Sequence, residues 1–116
     1  MALTLHKKEV LSVAYDSQSG KYCVTTAKDQ NMIIYLLDNY YKQAKPLIIK
    51  EITSFQDMTL SSLAVVDKFA SQKPVAYVAI ADGTTFEVFA GIISDNEIKN
   101  MVSVIRVSEA QSDTIQ

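Results

Sequence analysis

Residues 74–102, PVAYVAIADGTTFEVFAGIISDNEIKNMV, carry the reading on which the rest of the chain depends. Residues 75–80 form an almost unbroken apolar run, which suits a strand covered on both faces. Asp82-Gly83 then marks a tight hairpin turn, because glycine accepts positive φ and aspartate hydrogen-bonds locally. In residues 84–90, Phe86, Val88 and Ala90 share one face while Thr85, Glu87 and Phe89 share the other, and Gly91 reads as the end of this second strand. Ser94-Asp95-Asn96-Glu97 fits a capping box, with the Ser94 hydroxyl placed for the Glu97 amide and the Glu97 carboxylate reaching back. That predicts a closing helix that buries Ile98, Met101, Val102 and Ile105.

Composition bounds what this unit belongs to. A chain of 116 residues, 48% hydrophobic and 21% charged, has the length and make-up of one globular domain. Its net charge of −2 offers no general field for phosphate backbones, so no nucleic-acid partner is expected. Cys23 is the single cysteine, so neither an intramolecular disulfide nor a cysteine-rich zinc site can be built. One histidine, His6, leaves no multi-histidine metal site, and no cofactor is implied. The N-terminal residues MALTLHKKEV lack a signal-peptide core and no apolar run approaches a membrane span, which predicts a cytoplasmic protein without a membrane segment.

Working outward, residues 3–5 read as a short edge strand. Residues 6–15 read as a helix through Val10, Leu11, Ala14 and Tyr15, and residues 21–25 as a strand whose Cys23 looks into the core. Residues 28–45 give the longest predicted helix. Met32, Ile33, Leu36, Leu37, Tyr40 and Ala44 recur at three and four residue intervals, Thr26 serves as N-cap, Asp29 sits in the first turn, and Pro46 is the stop. Residues 47–52 read as a strand. Residues 59–70 read as a second amphipathic helix carrying Leu60, Leu63, Ala64, Val66 and Phe69. The order β-α-β-α-β-α-β-β-α implies parallel crossovers followed by an antiparallel hairpin, in a single domain over residues 1–107 with a polar tail over 108–116.

That order, with a proline opening the fourth strand, resembles the thioredoxin fold. Lys68-Phe69-Ala70 through Lys73-Pro74 is similar to the family's approach to its cis-proline, and Gly83, Gly91, Ser94 and Ile98 fall at its strand-turn-strand-helix positions. The resemblance implies an α/β fold of three layers, a mixed central sheet of four to five strands flanked by helices. The redox dithiol, however, is replaced by Thr25-Thr26-Ala27-Lys28-Asp29-Gln30. Thiol exchange needs an attacking thiolate and a resolving thiol, so a thioredoxin-type reductase is excluded. The resemblance therefore implies a redox-inactive module that binds or scaffolds proteins in a larger assembly. Its contact surface would be formed by Thr26, Ala27, Lys28 and Asp29, by Lys73-Pro74, and by Gly91-Ile92, with a peptide docked beside the proline.

Two other readings stand beside it. Cys23 as a lone reactive thiol would make a monothiol redox or thiol-transfer enzyme, against an inert cysteine in a β run. Self-association would use the tyrosine-bearing stretch of Tyr35, Tyr40 and Tyr41, or the first strand as a sheet edge. His6 reads as a solvated residue at a helix start. The carboxylates Asp29, Asp57, Asp67, Asp82, Asp95 and Glu97 read as turn, cap and surface groups, so no catalytic constellation is predicted.

Overall fold

A computed structural model describes residues 5–37, 43–67 and 72–108, and among these residues the chain forms strands and no helix. The first sheet is an antiparallel meander in chain order, β1 (Val10–Tyr15), β2 (Tyr22–Ala27), β3 (Asn31–Leu37) and β4 (Ala44–Glu51). The second is β5 (Leu60–Val66), β6 (Val75–Ala81) and β7 (Thr85–Ser94), extended beside β7 by β9 (Val102–Ser108), with the two-residue β8 (Glu97–Ile98) on the end of β7.

The α/β, thioredoxin-like expectation is thereby overturned. The β6–β7 hairpin at Asp82-Gly83 is present, with Gly83 at φ +107°. Every predicted helix that falls on described residues is extended instead. Residues 6–15 hold β1, 28–45 hold β3 and the start of β4, 59–70 hold β5, and the closing helix is β9. The physical reason is plainest in β3. Met32 to Leu37 is continuously apolar, so every pair three or four apart fits a helical template without being evidence for one. β-Branched Ile33 and Ile34 with aromatic Tyr35 then favour the extended backbone.

Turn chemistry was hidden in the supposed caps. Asp95 and Asn96 both have positive φ, 56° and 57°, the requirement of a two-residue type I′ hairpin between Ser94 and Glu97. Gly91 lies inside β7 rather than at its end, and Pro46 lies within β4, next to the register shift opposite Ile34 and Tyr35. Every peptide bond among the described residues is trans, so Lys73-Pro74 forms no cis-proline loop. The readings at Leu3, Tyr40, Tyr41, Lys68, Phe69, Ala70 and the tail beyond Ser108 lie outside the described residues.

The two sheets stack face to face around one core. Val24, Met32, Ile34 and Leu47 of the first meet Leu63, Val65, Val78 and Ile80 of the second. Strands β1 and β2 lie against β5, so the leading strands of the two meanders adjoin. The Ser12 hydroxyl donates across this junction to Ser61 at 2.9 Å. Between β4 and β5 the chain returns through a loop whose Ile52, Phe55 and Met58 are buried with the core. A closed sandwich keeps the outward residues of its sheets polar. Leu60, Tyr77, Phe86, Ile92, Val102 and Ile105 all project from the outer face of the second sheet and are exposed.

Candidate functional site

The most connected polar cluster is built on the first sheet by the segment before β1. The His6 ring lies over Thr25 of β2 and the turn between β2 and β3. Its Nδ1 is 3.2 Å from both carboxylate oxygens of Asp29, and its Nε2 is 2.7 Å from the Thr25 hydroxyl. In the neutral ring, Nδ1–H donates to the carboxylate and Nε2 accepts from Thr25. Asp29 also accepts the backbone amides of Lys7 at 2.9 Å and Asn31 at 3.0 Å. Burial pushes the Asp29 carboxyl up, but the two amides and His6 outweigh it and hold the pKa below the ordinary carboxylate value. The Tyr35 phenol is buried beside Thr25, outside ordinary hydrogen-bond geometry. Burial raises its pKa, and the Thr25 hydroxyl acts the other way.

Asp29, His6 and Thr25 are joined in the order of a hydrolytic triad. Access decides against that chemistry, because the His6 and Asp29 side chains are only 5% and 7% exposed and Thr25 is buried on the sheet. The cluster is a clasp that ties the leading segment to the β2–β3 turn, reinforced by the Lys28 amide donating to the Glu9 carbonyl at 2.9 Å. His6 is therefore not a solvated residue at a helix start, and Asp29 is not a first-turn acid.

The proposed contact residues separate into two places. Thr26 and Ala27 are fully buried, with the Thr26 hydroxyl donating to the Met58 carbonyl at 2.7 Å, so neither presents a surface. Lys28 is exposed and pairs with Glu9 at 3.2 Å. On the other sheet, Lys73, Gly91 and Ile92 come together around a groove of about 520 Å³, walled by Val75, Ala90 and Val102. Lys73 Nζ donates to the Ser94 hydroxyl at 2.9 Å at its rim, and the Pro74 carbonyl accepts the Ile93 amide at 2.9 Å. This groove is one end of the uncovered face of the second sheet.

Cys23 lies opposite Tyr35 on the outer side of the first sheet, not toward the core between the sheets. It is half-buried, and burial pushes its thiol up, away from the thiolate that redox or transfer chemistry needs. Maleimide labelling of the native protein at neutral pH is expected to run roughly tenfold slower than labelling of the urea-unfolded chain. Equal rates would restore the monothiol reading. Among the described residues no group of three or more His, Cys, Asp or Glu side chains is placed to hold a metal ion. No helix among them is long and apolar enough to cross a membrane.

Sequence reasoning missed His6 and Thr25, since nothing local links a histidine to an aspartate 23 positions away. It also missed the apolar outer face, whose signal was the alternation of Tyr77 and Ala79 with Ala76, Val78 and Ile80. Comparison of this chain with family models, with curated proteins and with solved structures finds no match.

Proposed function

We propose that this chain is a non-catalytic protein-interaction scaffold, two consecutive units of a propeller-type stack of four-stranded sheets. One observation carries the reading: the outer face of β5, β6, β7 and β9 presents apolar side chains across all four strands and no charged one. A sheet of this kind cannot bury its own second face, and repeat architectures solve the problem by stacking a neighbour on it. Uncovered apolar patches of several hundred Å² mark interaction surfaces on soluble proteins. The groove at Lys73, Gly91 and Ile92 gives the patch a recess for an anchoring side chain, with Lys73, Glu97 and Lys99 as its polar rim.

A photo-activated aromatic residue placed at Ile92, which is 57% exposed, tests this reading. Cross-linking to a second polypeptide is expected at Ile92, and much less from the same probe at Gln18 in the exposed turn between β1 and β2. Equal cross-linking from both positions, or none from Ile92, would remove the reading.

A further inference from the structure

We infer that the outer face of the second sheet is covered by the first sheet of a second copy of this chain, stacked head to tail. The inference rests on the scaffold reading and names the occupant of its surface. Within one chain, the inward side of β1 packs on the inward side of β5. That step leaves β5 with an outward apolar side, where Leu60 is 63% exposed, and β1 with an outward apolar side of its own, where Val13 is 66% exposed. Val10 and Ile49 on the two edge strands of that side are also exposed, while Thr25, Ile33 and Tyr35 between them are already buried within the molecule. Each end of the two-sheet stack therefore carries exposed apolar side chains. Placing β1 of one copy on β5 of the next repeats the contact already made inside the molecule.

Size and charge agree with this occupant. The exposed apolar side chains on the two surfaces sum to on the order of 1,000 Å² per junction, the lower bound for a specific interface. No charged side chain projects from β5, β6, β7 or β9 on the outer face of the second sheet, so that side of the junction adds no unpaired ion from its strands. A head-to-tail contact is heterologous, and its rotation closes into a ring when the steps sum to a full turn. Propellers close with roughly four to eight sheets, which corresponds to about two to four copies of a two-sheet chain.

Sedimentation velocity and native mass spectrometry of the full chain across a concentration series test the inference. A single closed species above monomer mass is expected. Leu60→Glu and Val13→Glu should each reduce it to monomer, and mixing Leu60→Glu with Val13→Lys should rebuild a mixed assembly. Ile92→Glu with Ile49→Glu provides a second pair should one of the first fail to fold by circular dichroism. Loss of assembly in Leu60→Glu but not in Val13→Glu would mean that second sheets pair with each other, and would overturn the head-to-tail contact. A monomer at every concentration whose Ile92 probe cross-links a different protein would overturn the second copy and leave the scaffold reading intact. A monomer with no cross-link would remove both.

Discussion

Asp29→Ala is expected to lower the unfolding free energy by about 3 kcal/mol, because it strands two backbone amides and a buried imidazole that share one carboxylate. Charge-assisted hydrogen bonds contribute about 1.5–3 kcal/mol each, and losses within one network do not add. The effect has a definite pH signature. The folded-state pKa of Asp29 lies below its unfolded value, so the folded state favours the ionised form. The resulting stabilisation is complete above the unfolded carboxylate range, near ~3.9, and is lost as the pH falls through the lower folded value. Urea titrations at pH 7 and along an acid series should show wild type losing stability below about pH 4, and Asp29→Ala with a shallower acid limb. An unchanged midpoint at neutral pH would show that the clasp contributes nothing to the fold. His6→Ala should follow Asp29→Ala in direction with a smaller loss, since the Lys7 and Asn31 amides keep their acceptor.

The clasp also explains why part of this fold was legible in the sequence and part was not. The β6–β7 hairpin declared itself because Asp82-Gly83 is a turn signal that helices do not use, and because the runs on either side are the length of strands. The sequence grouped Lys73, Gly91 and Ile92 only through the resemblance to a cis-proline groove that the structure overturns; what brings them together is the pairing of Val75 with Ile92 in this hairpin. The β2–β3 hairpin gave no such signal. Its turn at Lys28-Asp29-Gln30 contains no glycine or proline, and Gln30 adopts φ +65° with its side chain donating to the Phe55 carbonyl at 2.9 Å. A position that ordinarily asks for glycine or asparagine is held by tertiary bonds that no local pattern shows. Strands apolar on both faces remove the other cue. When Leu63 and Val65 face the core and Leu60 and Val66 the exposed outer side, the two-residue alternation disappears and helical spacing fits by default.

Gly91→Ala is the second change expected to be severe, with a loss of about 2–4 kcal/mol. Gly91 sits in mid-strand opposite Ala76, where the chain after β8 folds down onto the sheet. A Cβ there would lie 2.7 Å from the Asn100 carbonyl oxygen and 2.8 Å from Ile98 Cγ2, and would also collide with the Met101 sulfur. Ile98 and Met101 are themselves core residues, so the segment between β8 and β9 cannot lift without exposing them. Gly83→Ala provides the comparison. It meets nothing within 4 Å but must hold φ +107°, so its cost is backbone strain of about 1 kcal/mol without any loss of packing. Chemical denaturation of both variants should place Gly91→Ala well below Gly83→Ala, and the reverse order would mean that the β8–β9 segment does not rest on Gly91. The contrast with the next residue matters more. Gly91 faces the core and Ile92 faces outward, so a substitution at Ile92 should disturb docking while leaving the unfolding midpoint within about 0.5 kcal/mol of wild type. Two neighbouring positions on β7 therefore separate what holds the second sheet together from what it offers to a partner.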